Sequence, residues 1–191
     1  MWAALRAGAA RGHGVKEISL HLLDLIENAV AAGARTVDIR IQEDLAADRL
    51  RITVRDDGRG MPTDLTKTAT DPFTTTRTTR KVGMGLALLS AAAEQAGGRI
   101  HITSARDRGA AVTATFRLSH IDRAPMGRLE DTLSTAAVLH PEVTIRLLHR
   151  VGRRHYRLPT AEYGRAHGPA ELARLLAGKV AAGRRRLGST A

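Results

Sequence analysis

On a helical wheel Glu17, His21, Asp24 and Asn28 are spaced four, three and four residues apart and share one side of a segment. The opposite side carries Ile18, Leu22, Ile26, Ala29 and Val30. Carboxylates, an imidazole and an amide on one face offer a base, a proton shuttle and a hard oxygen ligand. Such a row is ordinarily only the solvated side of a helix. Further along, Asp56-Asp57-Gly58-Arg59-Gly60-Met61 sets carboxylates where an alternating segment ends. Glycines there allow a tight turn close to a ligand, and a carboxylate can accept from an exocyclic amine. Lys81-Val82-Gly83-Met84-Gly85-Leu86 then puts two glycines before a helical pattern, whose free N–H groups and positive dipole end suit a phosphate. Each pattern alone also has a commonplace explanation, since Asp-Gly turns are frequent.

These groups need elements to hold them. Val15–Ala32 repeats apolar residues at three- and four-residue steps and stops at Gly33, which predicts an amphipathic helix. Thr36–Gln42 and Arg49–Arg55 alternate and read as paired strands joined by the polar turn Glu43–Asp48. The threonine-rich stretch Pro62–Thr79 is expected to be a functional loop or partly helical around Asp64–Thr70. Leu86–Ala96 predicts a second helix closed by Gly97-Gly98, and Arg99–Ser104 and Ala111–Leu118 predict two more strands. This order predicts an α/β fold, a two-layer sandwich whose mixed sheet is covered on one face by helices including 15–33 and 85–96. Beyond Ser119, a helix at Leu129–Val138, a hairpin of 143–149 with 155–158 about Gly152, and a helix at Pro169–Ala182 predict a C-terminal α+β extension over 120–182. Residues 183–191 are expected to be a disordered tail, and 1–14 a loose leader.

Composition narrows the function. Of the 191 residues, 43% are hydrophobic and 26% charged, which suits one main core. Trp2, Phe73, Phe116, Tyr156 and Tyr163 are the only aromatics, which weighs against modules built on stacking rings. With no cysteine, disulfides, thiolate metal sites and a thiol nucleophile are excluded. No apolar stretch approaches the roughly 20 residues of a bilayer span, so a soluble, cytoplasmic chain with no membrane partner is expected. The net charge of +11 is concentrated towards the C-terminus. Because only 4 of the 30 cationic residues are lysine, that charge reads first as an arginine bias of composition, and nucleic acid ranks low among partners.

Taken together and in order, HLLDLIENAVAAGA within helix 15–33, DDGRGM after the second strand and DPFTTTRTTRKVGMGLALL before the second helix resemble the GHKL superfamily: gyrase B, the large heat-shock chaperones, histidine kinases and MutL. The resemblance covers roughly residues 15–118, a GHKL-type ATP-binding domain. Its third element is most similar to the histidine-kinase catalytic domain, whose PF box and short lid lead into a GxGL motif. The resemblance implies a Bergerat-type fold that binds ATP and Mg²⁺ between the helix layer and a lid at 70–84. It implies that Asn28 helps hold Mg²⁺ and that Asp56 accepts from the adenine amino group, with Gly58, Gly60 and Met61 around the ring. It implies further that Gly83, Met84, Gly85 and Leu86 lie at the phosphates, and that Thr75, Thr76, Arg77 and Lys81 belong to the lid. Arg77, Arg80 or Lys81 would meet the terminal phosphate.

Two positions depart from the pattern. Hydrolytic gyrase and MutL members place a glutamate four residues before the Mg²⁺ asparagine; here Asp24 keeps the carboxylate one methylene shorter. Glu27 lies about 100° from Asn28 on the wheel. Where several members have Gly-Thr with the hydroxyl near adenine, this chain has Gly109-Ala110, so Thr113 or Thr115, or water, would have to substitute. Asp24 is the expected catalytic carboxylate, and His21 a second catalytic candidate weighed against a structural or solvated histidine.

The function expected is Mg²⁺-dependent ATP binding by a histidine-kinase-like domain, an ATPase or protein kinase in signalling or regulation. Its partner would be a protein, either a phosphoacceptor or a regulated protein, and a homodimer is compatible. About 14 residues before the nucleotide helix are too few for a phosphoacceptor hairpin, so the acceptor is expected on another chain or in an unusual place. The alternatives are a non-catalytic ATP sensor and a gyrase- or MutL-like DNA-associated ATPase that uses Arg184-Arg185-Arg186.

Overall fold

The computed structural model describes residues 17–61, 84–162, 168–189 and 191. In chain order these form α1 (Ile18–Ala31), β1 (Thr36–Asp44), β2 (Arg49–Asp56), α2 (Met84–Gln95), β3 (Arg99–Ser104), β4 (Ala110–Arg117), α3 (Leu129–Leu139), β5 (Thr144–Val151), β6 (Arg154–Pro159), a 3₁₀ turn (Thr160–Glu162) and α4 (Pro169–Leu187). The expected lid at 70–84 lies outside the described residues up to Gly83.

The strands make one sheet in the order β3-β4-β2-β1-β5-β6. β1 and β5 run parallel and every other pair is antiparallel, so the sheet is mixed as expected. Strict alternation turns Val37, Ile39 and Ile41 of β1, Leu50, Ile52 and Val54 of β2, and Val112, Ala114 and Phe116 of β4 to one face. There they meet Ile18, Leu22, Ile26 and Ala29 of α1 and Leu89 and Ala93 of α2. Burial of a leucine, isoleucine or phenylalanine side chain contributes about 1.5–3 kcal/mol, so this aliphatic interface is what holds the helix layer on the sheet. It also holds the C-terminal end of α1 at the loop after β2, where Ala32 meets Gly58 and Arg59.

Residues 120–189 extend the same sheet. β5 pairs with β1 from Thr36↔Thr144 to Glu43↔Val151. The expected end of β1 at Gln42 is two residues short, because the strand continues through a buried charge: Glu43 Oε1 lies 2.7 Å from His149 Nε2.

The helix expected to stop at Ala182 runs to Leu187. Gly183 is a point of close approach, since a Cβ there would stand 2.7 Å from ring carbons of Tyr156. The helix ends instead at Gly188, whose φ of +63° is the left-handed conformation of a C-terminal glycine. Ser189 Oγ then donates to Glu43 Oε1 at 2.6 Å, and Arg184 reaches Glu130 at 3.3 Å. The tail expected to be disordered from 183 is therefore ordered through Ser189, because polar partners on the sheet and on α3 hold it.

Candidate functional site

α1 lays three of the four polar residues along its length in the order His21, Asp24, Asn28, and its C-terminal end meets the loop after β2. The amide of Arg59 donates to Ala32 O at 3.0 Å. A Cβ on Gly58 would stand 2.9 Å from the Ala32 side chain, so only glycine lets the loop pass there. Asp57 ties the corner from the other side: its Oδ1 accepts from the Arg35 and Thr36 amides at 2.8 and 2.9 Å. Burial pushes the Asp57 carboxyl up, but the Thr36 and Arg35 amides outweigh it and hold the group below the usual carboxylate range.

Asp56 ends β2 on the helix-facing side. One carboxylate oxygen is anchored: Oδ1 accepts from the Gly58 amide at 2.9 Å and the Ala110 amide at 3.3 Å. Oδ2 accepts from no group among the described residues and remains available to a donor. Burial raises the Asp56 pKa and the neighbouring Asp57 charge adds to this, against the pull of the two amides.

The β3–β4 turn closes over this carboxylate. A Cβ on Gly60, at φ +64°, would stand 2.0 Å from Ala105 O. Gly60 is thus needed for contact with the turn. Ser104 stitches the two together, accepting from the Met61 amide and donating to Gly109 O, both at 2.8 Å. Ser104 was not among the residues expected from sequence, because its role depends on the register of β3 on β4.

α2 begins at Met84 beside Asp24. A Cβ on Gly85 would stand 3.3 Å from Asp24 Oδ2, so glycine lets the helix start close to the carboxylate. The N–H groups of this first turn, which find no partner within the helix, therefore lie beside Asp24. Asn28 is half-buried, one turn nearer Asp56. Leu86 packs against the core.

Several expected residues are not brought here. His21 is 2% exposed and lies among Ile18, Leu22, Leu25, Ile52, Leu89, Val112 and Ala114. It is a core residue, neither a solvated one nor one with a ring open to a reacting phosphate. Thr113, expected near adenine, lies between helix-facing Val112 and Ala114 and so points to the opposite side of the sheet. Its Oγ1 is 3.1 Å from Thr53 Oγ1. Thr115, on that same side, donates to Arg99 O at 3.1 Å. The Ala110 backbone amide, and neither threonine, meets Asp56. Glu27 is 2.8 Å from His140 Nε2 and faces α3. Thr75, Thr76, Arg77, Lys81 and Gly83 lie outside the described residues, as does the Met84 side chain.

Residues 15–120 match the family described as histidine kinase-, DNA gyrase B-, and HSP90-like ATPase. The chain belongs to this family. Its ATPase domain is histidine-kinase-like by its relatives. Sensor histidine kinase ZraS of Salmonella typhimurium is 36% identical over 93 residues, 48% of this chain and 20% of ZraS. Sporulation kinase A of Bacillus subtilis is 34% identical over 96 residues, 49% of this chain and 15% of that kinase. The chain thus spans a fifth or less of the length of these relatives. The N-terminal domain of a DNA repair protein has the same fold, with a TM-score of 0.54 at 11% identity over 75% of this chain and 51% of that one. The corner where α1, the loop after β2 and the β3–β4 turn meet, with the start of α2 against Asp24, is the candidate site. No helix among the described residues is long and apolar enough to cross a membrane.

Proposed function

We propose that this chain binds ATP together with Mg²⁺ and acts on, or regulates, a separate protein in signal transduction. The observation that carries the reading is Asp56, whose Oδ1 is pinned by two amides while Oδ2 accepts from no group among the described residues. A fixed, half-buried acceptor of this kind suits the amino group of adenine, which the neighbouring backbone turns would flank.

The Asp24 side of this region suits the phosphates. The first turn of α2 offers N–H donors and a positive dipole end, and Asn28 supplies an uncharged oxygen of the kind a hard cation accepts. Mg²⁺, when bound, would neutralise charge on the phosphates. Gly85 allows α2 to begin against Asp24, and Asp24 is the carboxylate in reach of that region. There it orients water or an acceptor hydroxyl or imidazole and takes its proton. The lid residues Thr75, Thr76, Arg77 and Lys81 would close over the phosphates.

A second reading, a non-catalytic ATP sensor, is favoured by the same contact: an aspartate held against Gly85 has less reach than a glutamate. Phosphate release and phosphotransfer to candidate partner proteins separate the two. Turnover that Asp24→Asn lowers by about 10²-fold or more with ATP affinity retained supports the enzyme; tight ATP binding without turnover supports the sensor.

A further inference from the structure

The sheet face turned away from the helices is crowded with arginine. Cross-strand partners share a face, so the register that sets Val54 against Val112 under the helices sets Arg51 against Thr115, and Thr115 against Arg99, on the open side. On the other half Arg40 faces Leu148, which faces Arg157, and Gln42 faces Arg150. The open face therefore displays Arg40, Arg51, Arg55, Arg99, Arg150 and Arg157, all exposed. None of the six is ion-paired among the described residues, whereas Arg49, Arg117 and Arg146 beside them are paired with Asp44, Asp48 and Asp38.

A compositional bias would scatter arginine over the surface, yet α1 and α2 contain neither Lys nor Arg. The charge also turns the corner at edge strand β6. A cleft of about 560 Å³ between β6 and the end of α4 has Arg153, Arg154, His155, Tyr156, Arg157 and Arg186 in its lining. Arg157 belongs to both the cleft and the open face, which makes one continuous basic tract.

We propose that this tract binds the phosphate backbone of duplex DNA without reading its sequence. Guanidinium forks match phosphate oxygens, and six strands about 4.8 Å apart give a rigid face roughly 24 Å wide. Duplex DNA carries one charge per about 1.7 Å of axis counted over both strands, so about 24 Å of duplex holds roughly 14 phosphate charges, of which the near side suffices for six guanidinium contacts. Among the described residues the open face carries no Phe, Tyr or Trp on which single-stranded bases would stack, its rings being the imidazoles of His101 and His155. It carries no Trp or Phe to enter a lipid interface either, and its one large apolar residue, Leu148, is half-buried. The tract lies on the opposite side of the sheet from Asp56, so ATP and DNA do not compete for residues. Of the terminal run Arg184-Arg185-Arg186, only Arg186 lines the cleft.

Fluorescence anisotropy of a labelled duplex of arbitrary sequence, titrated with the full chain over a KCl series, tests this. Six phosphate contacts predict a log K against log salt slope of about −5. Arg51→Gln/Arg99→Gln/Arg157→Gln should flatten the slope by about 3, and each single change by about 1, with melting temperatures unchanged. Arg174→Gln/Lys179→Gln, a charge change on α4 outside the tract, should leave binding unaltered. Absence of duplex binding at low salt, or equal losses in the tract and control variants, overturns the proposal. Tighter binding to phosphatidylserine vesicles or to polyglutamate than to duplex of equal charge concentration overturns it in favour of a membrane or an acidic protein.

Discussion

A Cβ on Gly109 would stand 2.0 Å from the carbonyl oxygen of Asp56. The β3–β4 turn thus rests on the backbone of the residue proposed to read adenine, at a φ of +72° that other residues rarely adopt. The next amide, Ala110, donates to the Asp56 carboxylate at 3.3 Å. Gly109→Ala should push the turn off this contact at a cost of about 2–4 kcal/mol, the sum of a left-handed alanine and a backbone clash. Urea unfolding measures the cost. Calorimetry on the folded fraction should show weakened ATP binding, because the Ala110 amide leaves Asp56.

Asp48 closes the β1–β2 turn and clasps the end of β4. Its carboxylate accepts from Ser119 Oγ at 2.7 Å and Arg117 Nε at 2.9 Å, and these bonds, the serine hydroxyl first, hold its pKa down at about 2. A depressed folded value means that its stabilisation is present above the ordinary carboxylate pKa near 3.9 and is lost as pH falls through about 2. Asp48→Asn, which tolerates the φ of +47°, should remove that acid-side loss. Urea midpoints measured from pH 5 downward should fall for the wild type and stay flatter for the variant.

Asp56 behaves in the opposite sense. Burial raises its pKa, so the fold favours the protonated carboxyl. Its contribution is complete below the unfolded pKa and is lost as pH rises through the raised value. Asp56→Asn should therefore leave stability at neutral pH equal or higher, which a thermal melt at pH 7 and pH 4 checks.

The pair Glu43 and His149 is fully buried, and Ser189 donates to the same Glu43 oxygen. Removing one partner strands the other, so His149→Ala should cost about 3 kcal/mol and release the C-terminal end of α4 from the sheet. Denaturation gives the first quantity. Amide exchange at Leu187 and Gly188 gives the second.

Strict alternation in β1, β2 and β4 and the three- and four-residue repeat in α1 made these elements readable, because each buries one face against one layer. What local pattern could not carry was long-range pairing. Glu43 occupies a helix-facing position that a charged residue ordinarily vacates, and only β5 supplies the His149 that compensates it. Gly183 has the mark of a helix stop, but it is demanded by the Tyr156 ring, which belongs to β6. The order Asp24, Asn28, Asp56 with its glycines was legible as motifs. The placement of Thr113 was hidden until the register of β4 on β2 was known, since a single-residue shift along a strand changes its face. His21 shared the wheel position of the polar row, yet α2 packs over its end of α1 and buries it. The arginines looked compositional in one dimension and segregate only in the folded sheet.

The account stands most directly on the open oxygen of Asp56. Calorimetric titration of ATP into wild type and Asp56→Asn, with and without Mg²⁺, tests it. The asparagine can keep an oxygen towards the Gly58 and Ala110 amides, but then presents an NH₂ group where the adenine amino group must donate. Affinity is expected to fall at least tenfold, corresponding to about 1.5–3 kcal/mol for a bond to a charged acceptor, with the melting temperature unchanged or raised. Equal ATP affinity in a folded Asp56→Asn protein would contradict the site.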